Sequence, residues 1–216
     1  MASQTIADLH VHSNYSKDSM ITPKELVYYA KKRGLTAVAV ADHNQIEGSI
    51  KIGKETDFIV IPSMEVSSAD GHIVALNLQE LIPRGLSAAE TVDKIHQAGG
   101  TAIAVHPYAW FKGSLSSHVE EAKFDAVETL NASAFPFGRC KRKAIAIAQK
   151  LNLPQVGGTD AHYAPTVGYG YTILECEPSV EGIISAVREG KCHPAGRAVP
   201  ITLTLQRQYK LIKRRF

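Results

Sequence analysis

The chain has 216 residues, 44% of them hydrophobic and 21% charged, with a formal net charge of +3. This is the composition of an ordinary globular protein, with enough apolar material for one large domain or two small ones. No apolar run approaches the ~18 residues of a membrane span, so a membrane partner is not expected.

In chain order, the first residues, MASQTIADLH, lack a basic start followed by an apolar core, so no secretory signal is expected. Thr5-Ile6-Ala7 reads as the start of a strand that runs into Asp8-Leu9-His10-Val11-His12. On a strand Asp8, His10 and His12 share one face and Leu9 and Val11 the other. Two imidazoles so placed can hold one metal ion, and a nearby carboxylate such as Asp18 can reach a neighbouring ion. Taken alone, H-x-H is equally a pair of hydrogen-bonded surface histidines.

Thr22-Pro23-Lys24-Glu25 announces a helix, with Thr as N-cap, Pro at the first helical position and Glu at the third, and Gly34 ends it. Thr36–Ala41 is a continuous apolar run, as for a parallel strand buried on both faces, and it stops at Asp42-His43. A short helix near 45–54 leads to the strand Phe58–Pro62, which stops at Glu65. His72 heads the next strand, through Leu78. Ser87 and Glu90 form a second capping box, for a helix closed by Gly99-Gly100.

Thr101–Val105 is a strand ending in His106, and a helical stretch near 114–122 precedes the strand Phe124–Asn131. A basic-faced helix over 138–151 is followed by a strand over 154–159, ending in Asp160-Ala161-His162. Tyr171–Leu174 is the last strand and Ser179–Gly190 the last helix. About seven strand–helix units with short connections imply a single α/β barrel domain. The buried strands finish on His10/His12, Asp42-His43, Glu65, His106 and Asp160/His162, which a barrel gathers at one mouth. Burying these groups together without cations would cost several kcal/mol each, by a rough estimate.

Cys140, Cys176 and Cys192 are odd in number and form no C-x-x-C pair, which points away from a disulfide framework and toward a reducing cytoplasm. Residues 201–216 carry Arg207, Lys210, Lys213, Arg214 and Arg215 and no acid; removing these five of 24 basic residues leaves 19 against 21 acidic. The basicity is therefore a feature of a C-terminal tail, which reads as a solvated terminus or as a contact for nucleic acid.

The ordered segments D-L-H-V-H-S, V-A-D-H-N, I-P-S-M-E-V-S, G-H-I-V-A-L, A-V-H-P, V-E-T-L-N-A and G-G-T-D-A-H resemble those of the polymerase and histidinol phosphatase (PHP) family over roughly residues 5–195. The resemblance implies a distorted (β/α)7 barrel over about residues 1–200, with the basic tail outside it. It also implies two or three divalent metal ions (Zn, Mn or Fe) hydrolysing phosphate esters, with a hydroxide bridging the metals. By position it suggests His10, His12, Glu65 and Asp160 around one ion. Glu65 would bridge to a second ion held by His72 and His106, while Asp18, His43 and His162 would hold a third. His43, His162 or a metal-bound water would protonate the leaving group, so Glu65, His43 and His162 are the expected catalytic residues.

Asn131 reads as a substrate contact at the mouth or as an Asx turn. Arg139, Arg142 and Arg197 read as phosphate clamps or as solvated charges. The expected substrate is a phosphorylated small molecule or nucleotide. The alternatives are an exonuclease acting on oligonucleotide ends, a non-phosphate metal hydrolase, or a non-catalytic scaffold. Glu65, standing where amidohydrolases use a lysine, favours phosphate. No serine lies in a G-x-S-x-G context, so a serine hydrolase is not expected.

Overall fold

The computed structural model describes residues 4–213. Two capping boxes start helices where the sequence places them. Thr22 and Glu25 open α1 (Pro23–Lys32), and Ser87 and Glu90 open α3 (Ala88–Gln97); in each, side chain and backbone satisfy one another reciprocally. The remaining helices are α2 (Glu47–Lys54), α4 (Phe137–Lys150), α5 (Val180–Arg188) and α6 (Ile201–Lys213). The stretch expected to be helical near 114–122 is a 3-10 helix, Ser116–Glu120. No described helix is long and apolar enough to cross a membrane.

The strands are β1 (Thr5–Val11), β2 (Ala37–Val40), β3 (Ile59–Ser67), β4 (His72–Leu76), β5 (Thr101–Ala104), β6 (Ala126–Asn131), β7 (Gln155–Gly158), β8 (Gly170–Leu174) and β9 (Cys192–Gly196). They form one sheet in the order β7-β6-β5-β4-β3-β2-β1-β8-β9. β1, β2 and β3 run parallel, as do β5, β6 and β7. Between these two stretches β4 is antiparallel to both neighbours. Strand and helix therefore do not alternate throughout. β3 continues past Glu65 to Ser67 and turns directly into β4, so Glu65 lies within a strand rather than at its end. Ser68 makes the turn, its hydroxyl accepting from the backbone N–H groups of Asp70 (3.2 Å) and Gly71 (3.1 Å).

The sheet nearly closes. Beyond the end of β7, the Asp160 N–H donates to the His10 carbonyl (2.7 Å) and the His12 N–H to the Ala161 carbonyl (2.9 Å). Between β7 and β8 threonine side chains replace a backbone ladder. Thr172 Oγ1 bonds both the N–H and the C=O of Gly157, each at 2.8 Å, and Thr159 Oγ1 does the same for Gly170, each at 3.0 Å. This close approach requires glycine: a Cβ on Gly158 would lie 2.5 Å from the His10 Cβ, and one on Gly170 would collide with the Gly158 carbonyl.

Inside the barrel, Ala7, Leu9, Ala37, Ala39, Ile61, Val74 and Ile103 form one buried cluster with Ile183, Ile184 and Val187 of α5, which plugs one end. Arg188 fixes this plug by donating to the carbonyls of Gly99 (3.2 Å) and Gly100 (2.8 Å). The opposite end is left for polar side chains. There, α6 is seated by Leu203 against the cluster of Leu130, Ala132 and Tyr169. Arg214 and Arg215 of the basic tail lie outside the described residues.

Candidate metal centre

At the open end, Glu65 is the hub. It is 1% exposed and projects from β3 among the imidazoles of four other segments. Its Oε1 lies 3.0 Å from His72 Nδ1, 3.0 Å from His106 Nε2 and 3.6 Å from His10 Nε2. Its Oε2 lies 3.1 Å from His43 Nδ1 and 3.3 Å from His12 Nε2. Asp160 is the second carboxylate: Oδ1 is 3.3 Å from His12 Nε2, 3.8 Å from His10 Nε2 and 3.5 Å from His162 Nδ1. Asp18, on the loop after β1, places Oδ2 3.0 Å from His162 Nε2 and 3.5 Å from His43 Nε2. His106 (φ 31°) and Asp160 (φ 57°) take left-handed backbone conformations, which bulky side chains adopt at a cost.

All nine side chains selected from the sequence as ligands thus converge. Eight of them form overlapping groups that could each hold a cation: His10, His12 and Asp160; His10, Glu65 and His106; His43, Glu65 and His72; and His12, His43 and His162. Asp18 stands outside these groups, beside His43 and His162. The Nε2 atoms of His10 and His12 are 3.3 Å apart, so two imidazole nitrogens point at one spot that two carboxylates also address. His12 Nδ1 and His106 Nδ1 are buried with no partner among the described residues.

The electrostatics suit a cation. Burial, helped by the charges of His162 and His10, lowers the pKa of His12 to about 3, and burial lowers that of His106. Both are therefore neutral near pH 7, the form in which imidazole ligates metal. Burial opposes ionisation of Glu65, Asp160 and Asp18, but facing charges outweigh it. His10 holds Glu65 well below the ordinary carboxylate range, Lys112 and His10 do so for Asp160, and hydrogen bonds from His162 and His43 lower Asp18. His10 goes the other way: burial disfavours its charge, yet Asp160, Glu128 and Glu65 raise its pKa well above the usual value. The residues present fit divalent ions: imidazole nitrogens and ionised carboxylates share one focus, the mixture that borderline metals prefer, and a cation there would take the place of the proton that His10 gains from its carboxylate neighbours.

Supporting groups hold this arrangement. Glu128 on β6 lies 3.2 Å from His10 Nδ1, while its other oxygen accepts the His106 N–H (2.8 Å) and the Asn131 amide (2.9 Å). Sequence reasoning gave Glu128 no role, although a carboxylate inside an apolar strand is a signal. Asp42 accepts from the Ser13 N–H (2.7 Å) and hydroxyl (2.5 Å), tying down the loop that carries Asp18. Asp8 does not join the cluster. It accepts from the N–H groups of Thr159 (2.9 Å) and Gly168 (2.9 Å), and burial raises its pKa to about 7.

The centre opens into a cavity of about 660 Å³. Of the residues expected to touch substrate, Asn131 is buried and spends its amide on Glu128 and, at 3.4 Å, on Asp160. Arg139 and Arg197 lie outside the cavity lining, over the rings of Trp110 and Tyr169. The lining cations are instead Lys112, which contacts Asp160 Oδ2, and Arg207 of α6. Both stand in segments without a motif, so no spacing singles them out. His96 and His118 are away from the centre, paired with Asp125 (2.8 Å) and Glu121 (3.0 Å).

Comparison with known proteins agrees with this geometry. Residues 8–105 match the family described as PHP domain, and residues 138–192 that described as PHP-associated. An uncharacterized protein of Methanocaldococcus jannaschii is 39% identical over 139 residues, covering 58% of this chain and 81% of the relative. A 5'-3' exoribonuclease of Haemophilus influenzae is 33% identical over 111 residues, covering 43% of this chain and 40% of the enzyme. Among solved structures, a two-domain Bacteroides vulgatus protein containing a predicted PHP-like metal-dependent phosphoesterase superposes with a TM-score of 0.73 at 18% identity, over 90% of this chain and 65% of that one. Endonuclease Q in complex with a duplex bearing an abasic lesion superposes with a TM-score of 0.68 at 19% identity, over 91% of this chain and 60% of that one. This chain therefore spans less than two thirds of those two structures. With its sequence motifs, its nearly closed barrel and these matches, the chain belongs to the PHP domain family of metal-dependent hydrolases.

Proposed function

We propose that this protein is a phosphoesterase that holds two or three divalent ions (Zn, Mn or Fe) and hydrolyses the phosphate ester of a small molecule or nucleotide. The observation that carries this reading is Glu65. One buried carboxylate turns an oxygen toward each of two groups of imidazoles, so a single negative charge can serve two cations. Divalent ions bound there would supply Lewis acidity toward phosphate oxygens and lower the pKa of water to near neutrality.

The chain's own residues supply the rest. His10, His12, His72, His106 and Asp160 fix the donor geometry, and Glu128 orients His10. His43 and His162 are only partly buried, line the cavity and share Asp18; with two ions bound elsewhere either can donate a proton to a leaving-group oxygen, and with a third ion between them they are its ligands instead. Lys112 adds positive charge at the mouth for an anionic substrate. The cavity, at about 660 Å³, has the size of a small-ligand pocket.

One feature supports a second reading, action on oligonucleotide ends. Phe111 (94% exposed), Phe135 and Trp110 form an edge-to-face group, with ring centroids 6.4 Å and 5.9 Å from the tryptophan, and both phenylalanines line the cavity. Exposed aromatics beside a phosphate site can stack bases. The test is to assay Mn-loaded protein against phosphomonoesters, nucleoside monophosphates and short single strands. Metal-dependent phosphate release from the small esters, with less than about tenfold loss in Phe111→Ala, supports the first reading. Cleavage confined to oligonucleotides and lost in Phe111→Ala supports the second, and no hydrolysis of either overturns both.

A further inference from the structure

The last described helix, α6, is packed against the barrel. The segment leading into it is pinned to the barrel: the Arg197 N–H donates to the Tyr169 carbonyl (2.8 Å) and the Val199 N–H to the Ala132 carbonyl (2.8 Å). Leu203 then packs on Leu130 and Tyr169, and Lys210 lies over the Tyr163 ring at 5.0 Å. So held, α6 turns Ile201, Leu203, Thr204 and Arg207 into the wall of the cavity that also contains Asp18, Asp160 and His162.

Arg207 is the informative side chain of this wall. One guanidinium nitrogen donates to the Asp18 carbonyl at 3.1 Å. Its Nε–H is buried and has no partner among the described residues. A buried donor left unpaired is costly, and the costs of such groups are usually met by a ligand or water. The donors of a guanidinium form a fork that matches two oxygens of a phosphate.

We propose that Arg207 is a substrate-binding residue, delivered by α6 to grip the phosphate group of the substrate. This rests on the phosphoesterase reading. It makes α6 a wall of the substrate site rather than a solvated tail. Arg207 lines the cavity, so N–H groups of its guanidinium can meet phosphate oxygens while the Asp18 contact stays in place. Because the wall comes from a single helix that the barrel motifs do not include, specificity can change at α6 without disturbing the metal donors.

The test measures inorganic phosphate binding by calorimetry to Mn-loaded, full-length protein, alongside metal content and circular dichroism. Arg207→Gln is expected to weaken phosphate binding at least ~10-fold, the loss expected for a charge-assisted hydrogen bond, with metal content unchanged. Arg207→Lys should recover part of it, since an ammonium keeps charge but not the fork. Lys213→Gln, which removes the same charge from the same helix outside the cavity, should bind as the parent does. Equal weakening by Arg207→Gln and Lys213→Gln would reduce the effect to general charge and overturn the assignment. Full affinity in Arg207→Gln, with a parent that binds phosphate and hydrolyses esters, overturns the role of Arg207 and leaves the phosphoesterase reading intact. A parent that neither binds phosphate nor hydrolyses esters overturns both. Should Arg207→Gln misfold, Arg207→Lys alone decides, by whether its phosphate affinity falls.

Discussion

Glu65 is where one atom-level change should matter most. Glu65→Gln keeps the size of the side chain but removes the charge on which five imidazoles converge. Hydrolysis of a phosphate ester should fall by at least ~10²-fold, as for loss of a major electrostatic element of a site, and bound metal should fall with it. His96→Asn is the control, because His96 is paired with Asp125 on the outer surface. A folded Glu65→Gln protein with full metal and near-normal turnover would refute the bridged centre. That the candidate donor side chains would meet was legible in the sequence, because a barrel gathers the ends of its apolar strands at one mouth. Lys112 and Arg207 were not, because a cation in a loop or on a basic helix looks the same whether it faces solvent or a cavity.

At the scale of elements, the seam between β7 and β8 depends on absent side chains. Gly170→Ala would drive a Cβ into the Gly158 carbonyl, and backbone cannot yield as a side-chain tip can. It should destabilise by about 1–3 kcal/mol or more, as overpacking does. Gly138→Ala, near the start of α4 with nothing within 4 Å of the added carbon, should be neutral or stabilise by up to about 1 kcal/mol. Urea unfolding of the two variants checks the contrast, and equal midpoints would contradict this account of the seam. Helices α1 and α3 were readable from their capping boxes, since those signals are local. The reversal of β4 was also signalled locally, by the Asp70-Gly71 pair of its turn, but its apolar run has the composition of a parallel strand and masks that signal. β9, rich in Cys, His, Pro and Gly, carries no strand pattern at all and forms by pairing with β8.

For the whole molecule, the candidate donors come from opposite sides of the seam. His10 lies in the first strand and His12 just after it, and Asp160 and His162 follow the seventh. Ions held between them should therefore stabilise the fold by mass action, about 2.7 kcal/mol when free metal is a hundred times its Kd. For a chain of this size that is roughly 5–10 °C. Scanning calorimetry with and without chelator measures it. An unchanged Tm, together with less than about one equivalent of metal after reconstitution, would count against the centre.

The same spread along the chain orders events during synthesis. A nascent chain holding His10, His12, Asp18, His43 and Glu65 has most of the donors but no complete centre until His162 has emerged. Arg207 and the rest of α6 follow only after a further stretch of synthesis, roughly a few seconds at ordinary elongation rates. β8, α5 and β9 lie between His162 and α6, so the barrel and the last wall of its cavity are completed within the same stretch of synthesis.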